Sequence, residues 1–125
     1  MKIDVKRLLP CLLLTGWVAT SASLAGAHAS LDRAEPVVGS AVHGSPTELK
    51  LWFTQRLEPA FSKVQVLDRS GKQVDKGDPE VDRAVATLLR VSLPKLAPGR
   101  YRVKWRVLSV DTHVSAGAFT FDVVP

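Results

Sequence analysis

Two short stretches of the chain carry side chains that could hold a metal ion. In "SVDTH", residues 109–113, a carboxylate and an imidazole stand two positions apart at Asp111 and His113. In "LAGAHAS", residues 24–30, His28 follows Ala25, Gly26 and Ala27. Extended backbone sends residues two apart to the same side, roughly 6.6 Å apart along the chain, so Asp111 and His113 can converge on one small object. Taken alone, the signal is weak, and a hydrogen-bonded surface pair is its default reading. His28 changes that weighing if the chain is cut just before it. An N-terminal histidine offers two nitrogens, its amine and its imidazole Nδ1, which close a six-membered chelate on one ion. With Asp111 and His113 the set becomes three nitrogens and one oxygen. Such donors suit tetragonal Cu(II), which tops the divalent affinity order, while Zn²⁺ fits the same ligands with weaker binding expected.

The N-terminal sequence supports such a cut. "KIDVKR", residues 2–7, is charged, "LLPCLLLTGWVA", residues 8–19, is apolar, and Ala25-Gly26-Ala27 has the small-x-small form of a cleavage site. This is the pattern of a secretory signal peptide over residues 1–27. The apolar run is too short and interrupted for a membrane span; an uncleaved anchor is the alternative. Removal would leave residues 28–125, one small domain able to bury a single core. Cys11, the only cysteine, would leave with the signal, so the exported domain would have no disulfide in a compartment that permits them. The remaining charge, fourteen basic against eleven acidic residues, is a mild excess that gives no reason to invoke nucleic acid. Nor is there a long exposed apolar stripe, and a monomer is expected.

The elements that would position these residues are strands. Period-2 alternation recurs between Pro and Gly punctuation, with no helical period of useful length. In "TELKLWFT", Leu49, Leu51 and Phe53 share one face, and Trp52 lies on the other. "FSKVQVL" offers Val64 and Val66, with a turn at "DRSGK". "VATLLRVSL" sets Val85, Thr87, Leu89, Val91 and Leu93 on one side, and "PKLAPGR" is the next turn. "RYRVKWRVLSVDTH" places Tyr101, Val103, Trp105 and Val107 inward against Arg100, Arg102, Lys104 and Arg106 outward. The inward row continues through Ser109, a candidate to support the ligands by a hydrogen bond, to Asp111 and His113. "GAFTFDV" turns Phe119, Phe121 and Val123 inward. Short strands without crossover helices predict an antiparallel sandwich or barrel of about seven strands, with "DKGDPEVDRA" as an exposed polar loop.

Residues 28–124 resemble the CopC family of secreted copper-binding and copper-resistance proteins. The likeness rests on the "HASLDRAEPVVGS" start, "LKLWFTQRLEPAFSKVQVLDRSGK", "LAPGRYRVKWRVLSVDTH" and "GAFTFDV". It implies an all-β, seven-stranded Greek-key barrel or Ig-like sandwich. It also implies periplasmic Cu(II) held by the amine and imidazole of His28 with Asp111 and His113, and a CopD-like inner-membrane copper transporter as partner. Some members of the family carry a second, Cu(I) site in a Met-rich loop. Here the only methionine is Met1, so a single Cu(II) site is expected.

Other polar residues invite blander readings. His43 lies in a turn-rich stretch without an evident partner, and Asp75, Asp78, Glu80 and Asp82 lack the glycine and terminal Glu of an EF-hand. The stripe from Arg100 to Arg106 reads as a solvated face, with docking to an acidic partner as its functional alternative. Two functions compete with a copper carrier. One is an N-terminal-histidine copper oxygenase acting on polysaccharide, against which stand the carboxylate in the ligand set, the small size and the lack of an aromatic platform. The other is a metal-free Ig-like interaction module.

Overall fold

A computed structural model describes residues 29–125. The expected signal peptide and His28 lie outside the described residues. Eight strands follow in chain order: β1 (Leu31–Glu35), β2 (Ala41–His43), β3 (Glu48–Phe53), β4 (Lys63–Leu67), β5 (Glu80–Val81), β6 (Leu88–Ser92), β7 (Gly99–Leu108) and β8 (Val114–Val124). A 3-10 turn, Pro59–Phe61, precedes β4. The strands form two four-stranded sheets, ordered β1-β3-β6-β5 and β2-β8-β7-β4. No helix among the described residues is long and apolar enough to cross a membrane.

The alternating pattern explains which faces meet. Leu49, Leu51 and Phe53 of β3 are buried against Val64 and Val66 of β4, Tyr101, Val103 and Val107 of β7, and Phe119, Phe121 and Val123 of β8. Sheets packed this way interdigitate their inward rows while the outward rows stay wet. Trp105 is only partly buried and packs edge-on against Phe53 across the sheets, at 5.0 Å and 73°. Outside the core, Trp52 lies under Arg33, whose guanidinium carbon stands 3.6 Å from the ring centroid. Sequence alone did not decide what would cover Trp52; a cation on the neighbouring strand does.

The all-β sandwich is as expected, and its details differ in three places. One pair, β2 with β8, is parallel, where antiparallel pairing was expected throughout. The loop expected to be irregular contains β5, which adds the eighth strand by pairing Glu80 with Arg90 and Val81 with Leu89. Val85, expected on the inward row, is 42% exposed. Asp82 accepts hydrogen bonds from the backbone N–H groups of Ala84 and Val85, which turns the chain before β6 begins.

The β7–β8 hairpin closes through the three residues Val110, Asp111 and Thr112. Thr112 N donates to Ser109 O at 2.9 Å, and Ser109 N donates to His113 O at 3.0 Å. The third loop residue of such a hairpin takes left-handed backbone, and Thr112 has φ 71°. A β-branched residue there costs about 1–3 kcal/mol. Thr112→Gly is therefore expected to raise stability by about 1 kcal/mol after the entropy of glycine is subtracted, read as a higher thermal midpoint. A lower midpoint would show that the turn is not strained. Gly117 is the opposite case, because a Cβ there would fall on Cζ2 and Cε2 of Trp105. Gly117→Ala is expected to cost about 1–3 kcal/mol and to alter the near-UV signal of Trp105. An unchanged midpoint and spectrum would contradict this packing.

Candidate metal centre

Asp111 and His113 do come together, by a route other than the one expected. The strand ends at Leu108, so the row does not simply continue to residue 113. The tight turn brings the two side chains into contact instead, with Asp111 Oδ1 3.4 Å from His113 Nδ1. Donors that each sit about 2 Å from one ion stand no more than ~4 Å apart, so this pair is close enough to share one. Both side chains are about half exposed, leaving the site open on one side.

Ser109 is the anchor beneath them. It is fully buried. Its hydroxyl donates to Asp111 Oδ1, accepts from His113 N at 3.4 Å and lies 3.2 Å from the His113 carbonyl oxygen. That bond from Ser109 holds the Asp111 carboxyl below the usual carboxylate range, with His113 adding to the effect. The carboxylate is thus kept in the charged form that a cation would need.

One segment joins this turn to the beginning of the described chain. Leu57 bridges Ser109, Val110 N donates to Arg56 O at 3.0 Å, and Glu58 N donates to Leu108 O at 2.8 Å. Two residues earlier than Arg56, Thr54 N donates to Ser30 O at 2.9 Å, and Ser30 N donates to Thr54 Oγ1 at 3.0 Å. Ala29 is 1% exposed and belongs to the core. The first described residues and the Asp111–His113 turn are therefore seamed to the same stretch, Thr54–Glu58. Among the described residues no group of three or more His, Cys, Asp or Glu side chains gathers to hold a metal, so the pair would need a ligand from outside them.

The remaining polar candidates are engaged elsewhere. His43 lies on β2, opposite Val124, with Nδ1 3.3 Å from Pro125 O. Asp75 accepts from Val66 N and Gly77 N, Asp78 from Ser92 N, and Glu80 pairs with Arg90 at 2.7 Å. These carboxylates fasten a loop to the sheet edges, a tighter role than the solvated loop that their spacing suggested.

Comparison with known proteins identifies the family. Residues 31–124 match the CopC domain family. The chain is 26% identical over 98 residues to the copper transport protein CutJ of Bacillus subtilis (strain 168), covering 78% of this chain but only 18% of that longer protein. Among solved structures, CopC from Methylosinus trichosporium OB3b is 39% identical, with a TM-score of 0.74 and coverage of 78% of this chain and 95% of that one. PcoC, a methionine-rich copper resistance protein from Escherichia coli, is 31% identical, with a TM-score of 0.66 and coverage of 78% and 99%. With the two-sheet fold in place and the family match spanning residues 31–124, the chain belongs to the CopC family of copper resistance proteins.

Proposed function

We propose that the chain is exported to the periplasm, loses residues 1–27, and binds a single Cu(II) through the amine and imidazole of His28 together with Asp111 and His113. The observation that carries this reading is the contact between Asp111 and His113, braced by Ser109, which bridges to the segment that also holds Ser30. His28 is one peptide bond from Ala29 and supplies the donors that the described residues lack. Imidazole, amine and carboxylate are hard-to-borderline ligands that favour Cu(II). Cu(I) prefers thioether or thiolate, and both Met1 and Cys11 fall within the segment to be removed. One of the structural neighbours is methionine-rich; this chain is not, and it has no second, soft site.

Copper is cargo in this reading. Asp111 occupies a coordination position that oxygen chemistry would need open, so the protein is a non-enzymatic, monomeric carrier that buffers Cu(II). It passes the ion to a CopD-like inner-membrane transporter. That CutJ, a longer copper transport protein, contains a segment similar to this chain supports a working association with a transport protein.

Competition titration with a chromophoric chelator tests the ligand set. His28→Ala, Asp111→Ala and His113→Ala should each weaken Cu(II) binding by more than the roughly 10–100-fold expected when a supporting hydrogen bond is lost, and Ser109→Ala should fall within that range. A chain with one alanine retained before His28 should bind as weakly as His28→Ala, because its amine is in a peptide bond. Unchanged affinity in the Asp111 and His113 variants would favour the metal-free interaction module. Sustained reductant-driven peroxide formation by the copper-loaded protein would favour the oxygenase.

A further inference from the structure

The outward face of the sheet β2-β8-β7-β4 carries a charge imbalance that neither the fold nor the metal site uses. Alternation places Lys63 of β4 beside Arg106, and continues along β7 through Lys104, Arg102 and Arg100. The one carboxylate on these paired rows is Asp122, held by Arg100 at 2.9 Å. Lys63, Arg102, Lys104 and Arg106 are all exposed and form no ion pair among the described residues. Like charges on adjacent strands oppose sheet pairing, so the arrangement has a cost that an anionic partner would relieve.

A second, independent feature lies at one end of this face. Phe61 is 66% exposed and Val114 47% exposed. They share an open depression of about 980 Å³ with Lys63, Lys104, Arg106 and Ala116. Val114 continues the outward row of β8, and Phe61 projects from the turn before β4. An exposed cationic surface bordered by exposed apolar side chains has both components of interfacial binding: attraction to anionic headgroups and apolar groups to insert beside them.

We infer that this face docks on a bilayer surface containing anionic phospholipid, with Phe61 and Val114 at the headgroup boundary. Charge complementarity selects anionic lipid, and the apolar rim favours a bilayer over an acidic polypeptide. Val114 directly follows His113, so docking brings the Asp111–His113 turn down to the membrane.

Vesicle co-sedimentation tests this, using protein recovered from cells and variants with the same N-terminus, so that differences report the face alone. The protein should pellet with vesicles of equal parts phosphatidylglycerol and phosphatidylcholine, and not with pure phosphatidylcholine. It should be released at about 1 M salt, where the screening length falls to ~3 Å. Arg102→Glu/Lys104→Glu/Arg106→Glu should weaken the interaction on the order of 100-fold or more, with the far-UV spectrum and thermal midpoint confirming the fold. Phe61→Ser should weaken it without changing its salt dependence. Equal binding by wild type and the triple variant, or no binding to the anionic vesicles, would overturn the proposal. Equally strong capture by polyglutamate, with no effect of Phe61→Ser on vesicle binding, would also overturn it and assign the face to an acidic polypeptide.

Discussion

The register of the β7–β8 hairpin is the constraint on which the rest of the molecule depends. Gly99 lies opposite Val123, and the pairing runs without interruption to Leu108 opposite Val114. Side chains alternate across a sheet, so a slip of one residue would move every side chain to the other face. Here it would expose Tyr101, Val103 and Val107 and drive Arg102, Lys104 and Arg106 into the core, at several kcal/mol for each uncompensated charge. The same register fixes where the hairpin must turn. The loop falls at Val110–Thr112, which sets Asp111 and His113 side by side. Core row, basic row and the Asp111–His113 turn are three consequences of one pairing.

With no cysteine among the described residues, that pairing is held by packing and by polar fasteners at the sheet margins. Val74 N donates to Val66 O at 2.8 Å and Val66 N to Asp75 Oδ2 at 2.8 Å, which covers the open edge of β4. Asp78 does the same beyond β5, where its hydrogen bond from Ser92 lowers its pKa. Tyr101 stacks on Phe121 and its hydroxyl donates to Ala97 O at 2.6 Å, which ties the loop before β7 to the core. A pair of polar side chains on a hairpin tip gains precision from such a rigid base. Ser109 extends that rigidity to Asp111 and His113, because it is buried with the core yet hydrogen-bonded to the Asp111 carboxylate and the His113 backbone.

The fold was legible wherever burial alone decided the pattern. The rows on β3, β4, β7 and β8 follow directly from period-2 alternation, because each strand has one wet and one dry face. Legibility failed where local hydrogen bonds override that pattern. Val85 sits in an apolar row but is turned outward by the Asp82 carboxylate, and β5 hides in a polar loop because its pairing depends on a distant partner, β6. The parallel placement of β2 beside β8 is likewise a long-range outcome with no local signature. At the site, the choice of Asp111 and His113 came from residue type and spacing, while the geometry assumed for them, a continuing strand, was replaced by a turn. Its signal in the sequence is faint, since Thr112 occupies a position where glycine or asparagine would announce left-handed backbone.

The proposed copper centre depends on His28 being the first residue of the working protein. Intact mass of the exported protein with and without one equivalent of Cu(II), followed by an electron paramagnetic resonance spectrum, addresses this most directly. A mass beginning at His28, one bound copper and a tetragonal, nitrogen-rich spectrum are the expected result. A different N-terminus, or no stoichiometric copper, would remove the chelate and contradict the proposed centre.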